Sequence, residues 1–308
     1  STQGVSSAAS DVYKRQNLVV AMGVFLWSSG LPLIDHILGK WDFMSLATAR
    51  SLIAGLFLFV ISSYKTRSIP DKHLVKKASL IGLTTYGFGA LCMVVGISYS
   101  DPVTASILVT LIPVISAFMD LFTTKRSISW KLMLALVFSI IGGLVASLEP
   151  DQLNFVFGFG EIAVLAGVFL FVLYSRTTLH YLSFAPQISV LSICTLSGGL
   201  GMLILTIVSS GMGNELRYSF EPVYLMPLLF LGIVSMGISI HLWFYGAGRL
   251  GVTHAALLQN LVPAFVMLIM LALEHSFDGM KALGGVFVVC AAVIAQTDKK
   301  KLSHPEEH

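Results

Sequence analysis

The sequence predicts an all-α polytopic membrane protein, ten transmembrane helices arranged as two inverted five-helix repeats. Three observations predict it: a charge-poor composition, long uncharged runs along the whole chain, and two proline-bearing segments 150 residues apart that align without a gap. Of 308 residues, 56% are hydrophobic and 11% charged, where soluble domains carry about 25% charged residues. Continuous apolar runs, rather than alternation, exclude a membrane β-barrel.

In chain order, residues 1–16 stand outside the pattern. "DVYKRQ" (Asp11 to Gln16) reads as the translation of a sequencing-library adapter, and "STQGVSSAAS" has no periodicity, so a non-native leader is expected there. The native start then falls near or before Asn17. A secretory signal is the competing reading, but no convincing small-residue cleavage site follows the first run. A bilayer-spanning helix needs about 20 apolar residues. Runs of that kind occupy 17–38, 43–64, 75–99, 103–122, 130–148, 158–180, 184–209, 222–247, 252–273 and 279–297. The first repeat is expected over 17–148, the second over 149–298, and a tail over 299–308. Short connections make consecutive helices antiparallel neighbours.

Lysine and arginine near helix ends set orientation. With a cytoplasmic N-terminus, the inner loops and tail hold thirteen: Lys65, Arg67, Lys72, Lys76, Lys77, Lys125, Arg126, Lys131, Arg176, Arg249 and Lys299 to Lys301. The outer loops hold three, Lys40, Arg217 and Lys281. Both termini are therefore expected in the cytoplasm. The basic loops fix topology and touch anionic lipid rather than nucleic acid.

Sliding the chain by 150 residues pairs Ala105 with Ala255, Leu108 with Leu258, Leu111 with Leu261, Pro113 with Pro263 and Leu121 with Leu271. Each match lies in the fourth helix of a half. Five spans per half is an odd number, so the second copy enters the membrane from the opposite side. Inverted halves suit alternating access, because exchanging their conformations turns an inward-open cavity into an outward-open one. Transport is the leading expectation. An intramembrane enzyme would need convergent catalytic groups, and the chain has no HExxH and no GxSxG. A channel would predict a continuous pore. No GxxxxGK[ST] loop occurs.

The chain resembles the EamA-type members of the drug/metabolite transporter superfamily over residues 17–297. The resemblance rests on "FLWSSG" (Phe25 to Gly30), "ATARSLIAGLFLF" (Ala47 to Phe59), the fourth and ninth helices, and "ALEHSFDGMKALGGVFVVCAAVIA" with Glu274. Thr124 stands where the first half would carry a matching glutamate, and Ala272 precedes Glu274 by two, so the family's glycine-glutamate pair is incomplete in both halves. The resemblance implies a central cavity lined by most helices, with the fifth and tenth outside as supports or a homodimer contact. It also implies movement of small metabolites, often export, without a prosthetic group. An amino-acid-like solute exported across the bacterial inner membrane is the expected task, with uptake or exchange of another solute as the alternative.

Candidate site residues follow. Each proline frees the carbonyl four residues earlier, at Val109 and Gln259; beside these lie Thr110 and Asn260. Pro113 and Pro263 are expected as paired hinges, against a reading in which neighbours simply repack around them. Arg50 lies about seven residues into the second span, where a partner or water is required. It binds substrate, pairs with Asp35, or snorkels. His241 with Tyr245 on the same face could carry a proton, giving proton coupling, or could be a packing residue. Trp27, Ser28, Tyr86, Tyr99, Tyr174, Trp243 and Gln259 are expected to line an apolar cavity with a few polar contacts. Glu161 reads as interfacial. Cys92, Cys194 and Cys290 read as buried small hydrophobes with no metal or disulfide role. Gly82, Gly89 and Gly96 form a seven-residue stripe, and Gly198, Gly199 and Gly201 another, for close helix approach.

Overall fold

A computed structural model describes residues 2–67, 70–99, 108–123, 129–147, 158–272 and 279–296. Every element among them is helical: α1 (Thr2–Ser28), α2 (Leu31–Leu38), α3 (Phe43–Thr66), α4 (Lys72–Ile81), α5 (Phe88–Tyr99), α6 (Ile112–Thr123), α7 (Trp130–Ser147), α8 (Phe159–Tyr181), α9 (Gln187–Gly211), α10 (Pro222–Phe230), α11 (Ser239–Leu250), α12 (Val252–Gln259), α13 (Val262–Ala272) and α14 (Gly279–Gln296). Five segments are long and apolar enough to cross a bilayer: Lys14–Leu38, Phe43–Thr66, Phe159–Tyr181, Gln187–Gly211 and Pro222–Leu250. Ile112–Phe122 and Trp130–Gly142 are shorter apolar helices. The fourth expected run starts in residues 100–107, outside the described ones, as do Thr124 and Glu274. Large apolar side chains face outward along the helices, with Leu18 70%, Val60 65% and Ile204 62% exposed. That surface suits hydrocarbon, not water.

Two expected spans are single rods carrying a π turn. Gly82–Gly87 joins α4 to α5, and Leu231–Ile238 joins α10 to α11. A π turn adds a residue to the helical repeat and rotates everything beyond it. The glycine stripe is consequently split between partners. Gly82 packs on Cys194 and Ser197 of α9, while Gly89 and Gly96 pack on Leu170 and Val164 of α8. Thr84 and Thr85 donate their hydroxyls to the carbonyls of Leu80 and Ile81 at 2.7 and 2.6 Å, supplying donors where the backbone ladder is disturbed.

The proline spans are broken rather than bent. Residues 110–111 and 260–261 form turns, and each proline is the second residue of the helix that follows. There its missing N–H is one that a helix start leaves unbonded anyway. Matching backbone bonds run in both halves: Leu111 N to Leu108 O and Leu261 N to Leu258 O at 3.1 Å, then Ile115 N to Leu111 O and Phe265 N to Leu261 O at 2.9 Å. Gly251, at φ 84, makes the sharp link from α11 to α12.

The helices pack in an order that maps onto itself when the halves are exchanged. α3 lies along α9 and α7 along α14; α5 lies along α8 as α11 lies along α1. Residue detail repeats too. A Cβ on Gly96 would meet Val164 Cγ2 at 2.7 Å and Gly160 O at 3.0 Å, and one on Gly246 would meet Val20 Cγ2 and, at 3.2 Å, Gln16 O; Gly167 meets Met93 N at 3.0 Å, and Gly23 meets Trp243 N at 3.1 Å. In α3 and α9, Leu196 packs on Gly55 and Leu52 packs on Gly199. These pairs set the repeat offset at 144 residues for the first two spans of each half and 150 for the next two. α3 and its mate α9 are antiparallel, joined by Thr48 to Thr206 at 3.0 Å near one end and Ser62 to Ser189 at 2.6 Å near the other. Mates that run in opposite directions are what inverted halves require.

Candidate functional site

A residue can touch its own repeat mate only on the axis that relates the halves. Two contacts do so. The Tyr86 hydroxyl lies 3.6 Å from Met236 Sδ, joining the two π turns, and Asn260 Nδ2 donates to Thr110 O at 3.3 Å, joining the two helix breaks. Both pairs are 150 residues apart, the repeat offset of these spans. Asn260 also donates to Ser139 O at 3.2 Å and Ser139 Oγ at 2.6 Å, tying α7 to the second break.

An aromatic cluster adjoins the Tyr86 end of this axis. Ring centroids separate Tyr86 from Tyr174 by 5.5 Å, Tyr174 from Phe244 by 5.3 Å, Phe244 from Trp243 by 5.2 Å and Trp243 from Phe171 by 5.5 Å. Buried polar atoms in or beside this cluster lack a hydrogen-bond partner: Tyr174 Oη, Trp243 Nε1, Thr195 Oγ1 and Arg50 Nε; His241 Nδ1 on α11 and Gln259 Oε1 at the end of α12 also lack one. Tyr174 lies beside Thr195 and Cys194 without completing good bonding geometry. Buried polar groups are nearly always satisfied, so a set of orphans beside aromatic faces points to a ligand or water.

The structure brings Tyr86, Tyr174 and Trp243 into one cluster, places Arg50 next to Tyr86, and joins Thr110 to Asn260. Gln259 precedes Asn260 at the end of α12. His241 is half-buried on α11, with Lys65 of α3 as its charged neighbour. The remaining candidates lie elsewhere. Ser28 is buried and donates to Val24 O at 2.8 Å, while Trp27 is 40% exposed and its carbonyl accepts from Ser235. Tyr99 is exposed against Phe159, and Tyr245 stacks under Arg249 at 4.1 Å. The Asp35 side chain, and with it the expected Arg50–Asp35 pair, lies outside the described residues; so does the Pro263 ring. Cys194 is buried, whereas Cys290 is exposed. Glu161 is a helix cap, accepting from Gly158 N at 2.6 Å.

Sequence reading missed one cluster. Arg176, counted as a loop charge, is inside α8 and forms an ion pair with Asp120 of α6 at 2.9 Å. It also donates to Ser116 O at 2.7 Å and Thr253 Oγ1 at 3.3 Å; Thr253 donates to Asp120 at 2.5 Å and bonds Ser116 at 2.8 Å. The signal was Asp120 itself, an acid inside the apolar run "SAFMDLF". By the repeat offsets the mates of Ser116, Asp120, Thr253 and Arg176 are Val266, Met270, Val103 and Pro32, so the cluster serves one end of the bundle only. That end carries Lys65 and Lys72 and is the basic end of the bundle.

The fold and site define a helical membrane bundle whose two halves pack as exchanged copies, with an aromatic cluster holding unpartnered polar atoms beside their shared axis. The chain belongs to the EamA-like transporter family, whose model matches residues 15–148 and again 158–297. It is 23% identical over 260 residues to the uncharacterized transporter YyaM of Bacillus subtilis, covering 83% of this chain and 82% of that protein. It is 26% identical over 300 residues to an uncharacterized transporter of Archaeoglobus fulgidus, covering 93% and 98%. A protein of Pseudomonas aeruginosa named "probable biotin transporter" is 22% identical over 282 residues, covering 90% and 96%. A crystal structure with 16% identity superposes with TM-score 0.78, covering 94% of this chain and 99% of that one.

Proposed function

We propose that this protein is a secondary transporter that moves a small polar or amphipathic metabolite, amino-acid-like and exported, across the bacterial inner membrane with both termini cytoplasmic. The observation that carries the reading is the self-mapping packing: the same helix pairs and glycine contacts recur when the halves are exchanged. Such halves can trade conformations, and a solute on the axis is then exposed to each side in turn. The breaks at 110–111 and 260–261, with Pro113 and Pro263 behind them, are the flexing points in this account. The Asp120–Arg176 cluster ties first-half α6 to second-half α8 and α12, and in this account it must part for the basic end to open. Orphan polar atoms beside aromatic faces support a ligand that is part apolar and part polar. α7 and α14 pair along their length, and in this account they stand outside the axis as supports or as a homodimer contact.

The test is counterflow of labelled metabolites into proteoliposomes, with and without a pH gradient. Saturable flux is expected for at least one small metabolite, and its absence across a broad panel rejects transport. Flux that ignores the gradient removes His241 as a proton relay. Sidedness of flux in oriented vesicles separates export from uptake.

A further inference from the structure

The charge that the carrier reading leaves unexplained is Arg50. A guanidinium stays protonated in proteins and cannot escape burial by losing its charge. Within a span it therefore needs an anion, a set of acceptors or water. Arg50 lies seven residues past the start of α3, about 10 Å along the helix, and its Nε is buried without an acceptor. Among the described residues no acidic side chain pairs with it; the ion pair found there belongs to Arg176. The two hydroxyls beside it, of Ser51 and Tyr86, donate elsewhere, and neither oxygen accepts from Arg50 Nε. Ser51 donates to Ala47 O at 2.8 Å, and the Tyr86 hydroxyl donates to Ser51 Oγ at 3.3 Å. The Arg50 carbonyl, meanwhile, is 3.3 Å from where a Cβ on Gly232 would stand, so the residue sits against the second π turn as well as beside the first.

The repeat sharpens the point. At the offset of 144, the mate of Arg50 is Cys194, and the mate of Ser51 is Thr195. Arg50 neighbours Tyr86; Cys194 and Thr195 neighbour Tyr174, whose ring lies 5.5 Å from that of Tyr86. The mates thus differ in charge: a cation beside Tyr86 on one side, a thiol and a hydroxyl beside Tyr174 on the other.

Resting on the transporter reading above, we propose that Arg50 binds the carboxylate of the transported solute, whose apolar body lies toward Tyr174, Phe171 and Trp243. The solute class is a small amphipathic acid with its anionic group at one end. Recognition of a carboxylate by a two-toothed guanidinium gives both charge and orientation. The name of the Pseudomonas relative points to a ligand of this chemistry, since biotin is a small amphipathic carboxylate.

The experiment is counterflow in phosphatidylcholine vesicles using labelled leucine, phenylalanine and biotin, each competed by its unlabelled acid and by its primary amide. At least one acid moves saturably, and its amide competes at least tenfold more weakly. Arg50→Gln raises that acid's half-saturation at least tenfold, and Arg50→Lys recovers part of the loss. Equal competition by acid and amide overturns the assignment while leaving the transporter reading intact, as does wild-type half-saturation in Arg50→Gln. No saturable flux of any of the three overturns the assignment, and the transporter reading falls with it only if the broad panel is also silent. Should Arg50→Gln fail to fold, the acid and amide comparison in the wild-type protein decides alone. If Asp35→Asn is as damaging as Arg50→Gln and the exchange of the two charges restores flux, Arg50 belongs to an ion pair and the assignment falls. A wild-type preference for the acid that depends on added phosphatidylglycerol assigns Arg50 to a lipid headgroup, and that too overturns it.

Discussion

Asp42 caps α3, accepting from Ser45 N at 2.9 Å through one oxygen and from Arg217 N at 2.9 Å through the other. Its own N–H donates to Arg217 O, and Trp41 Nε1 donates to Ser219 O at 3.1 Å, so the end of the bundle opposite the basic one is clasped across both halves. Burial pushes the Asp42 carboxyl up, but the bonds from Ser45, Arg217 and Met44 outweigh it and hold the value below 3.8. A lowered folded value means that the stabilisation is present above the ordinary aspartate range and is lost as pH falls through the folded value. Asp42→Ala is expected to cost about 1 kcal/mol as a lost cap, read by thermal unfolding in detergent. It also speeds hydrogen exchange in residues 214–221, and the difference between mutant and wild type shrinks toward strongly acidic pH. A mutant that exchanges there like wild type at neutral pH contradicts the clasp.

At the scale of elements, the contacts that build the fold are glycine against neighbouring backbone. A Cβ on Gly82 would stand 2.7 Å from Cys194 Cα, whereas one on Gly211 meets nothing within 4 Å. Gly82→Ala therefore destabilises by roughly 1–3 kcal/mol through overpacking, while Gly211→Ala is neutral or slightly stabilising; melting temperatures of the two variants check the contrast. Much of this level was legible. Lipid demands long uncharged runs, so most spans could be read directly, and the match of Pro113 to Pro263 gave the repeat. The π turns could not be read, because they leave the apolar pattern unchanged. The helix breaks are expected from the sequence only as hinges, since a proline in an apolar run looks the same whether it bends one helix or opens the next.

Over the whole molecule, the repeat is written more in size than in identity. Leu52 on Gly199 and Leu196 on Gly55, or Val20 on Gly246 and Val164 on Gly96, are matches of a large residue on a small one. They escaped sequence comparison because their offset is 144 and not 150, the connection from α9 to α10 being longer than its counterpart in the first half. Of the candidate residues, Thr110 and Asn260 could be read from the proline repeat and Tyr86 from its ring within an apolar run; all three lie where symmetry places the axis. The Asp120–Arg176 cluster, which has no mate, could be recognised only once α6, α8 and α12 were packed together.

The central claim is that the two halves take turns opening, and the basic end must part for that to happen. Ser116 Oγ and Thr253 Oγ1 are 2.8 Å apart across the halves, close enough for Ser116→Cys and Thr253→Cys to form a disulfide without large backbone movement. In a background with Cys92, Cys194 and Cys290 replaced by alanine, counterflow of whichever metabolite the screen identifies is measured before and after oxidation. The account predicts that flux stops when the bridge is complete and returns on reduction. Undiminished flux through fully bridged protein would contradict it.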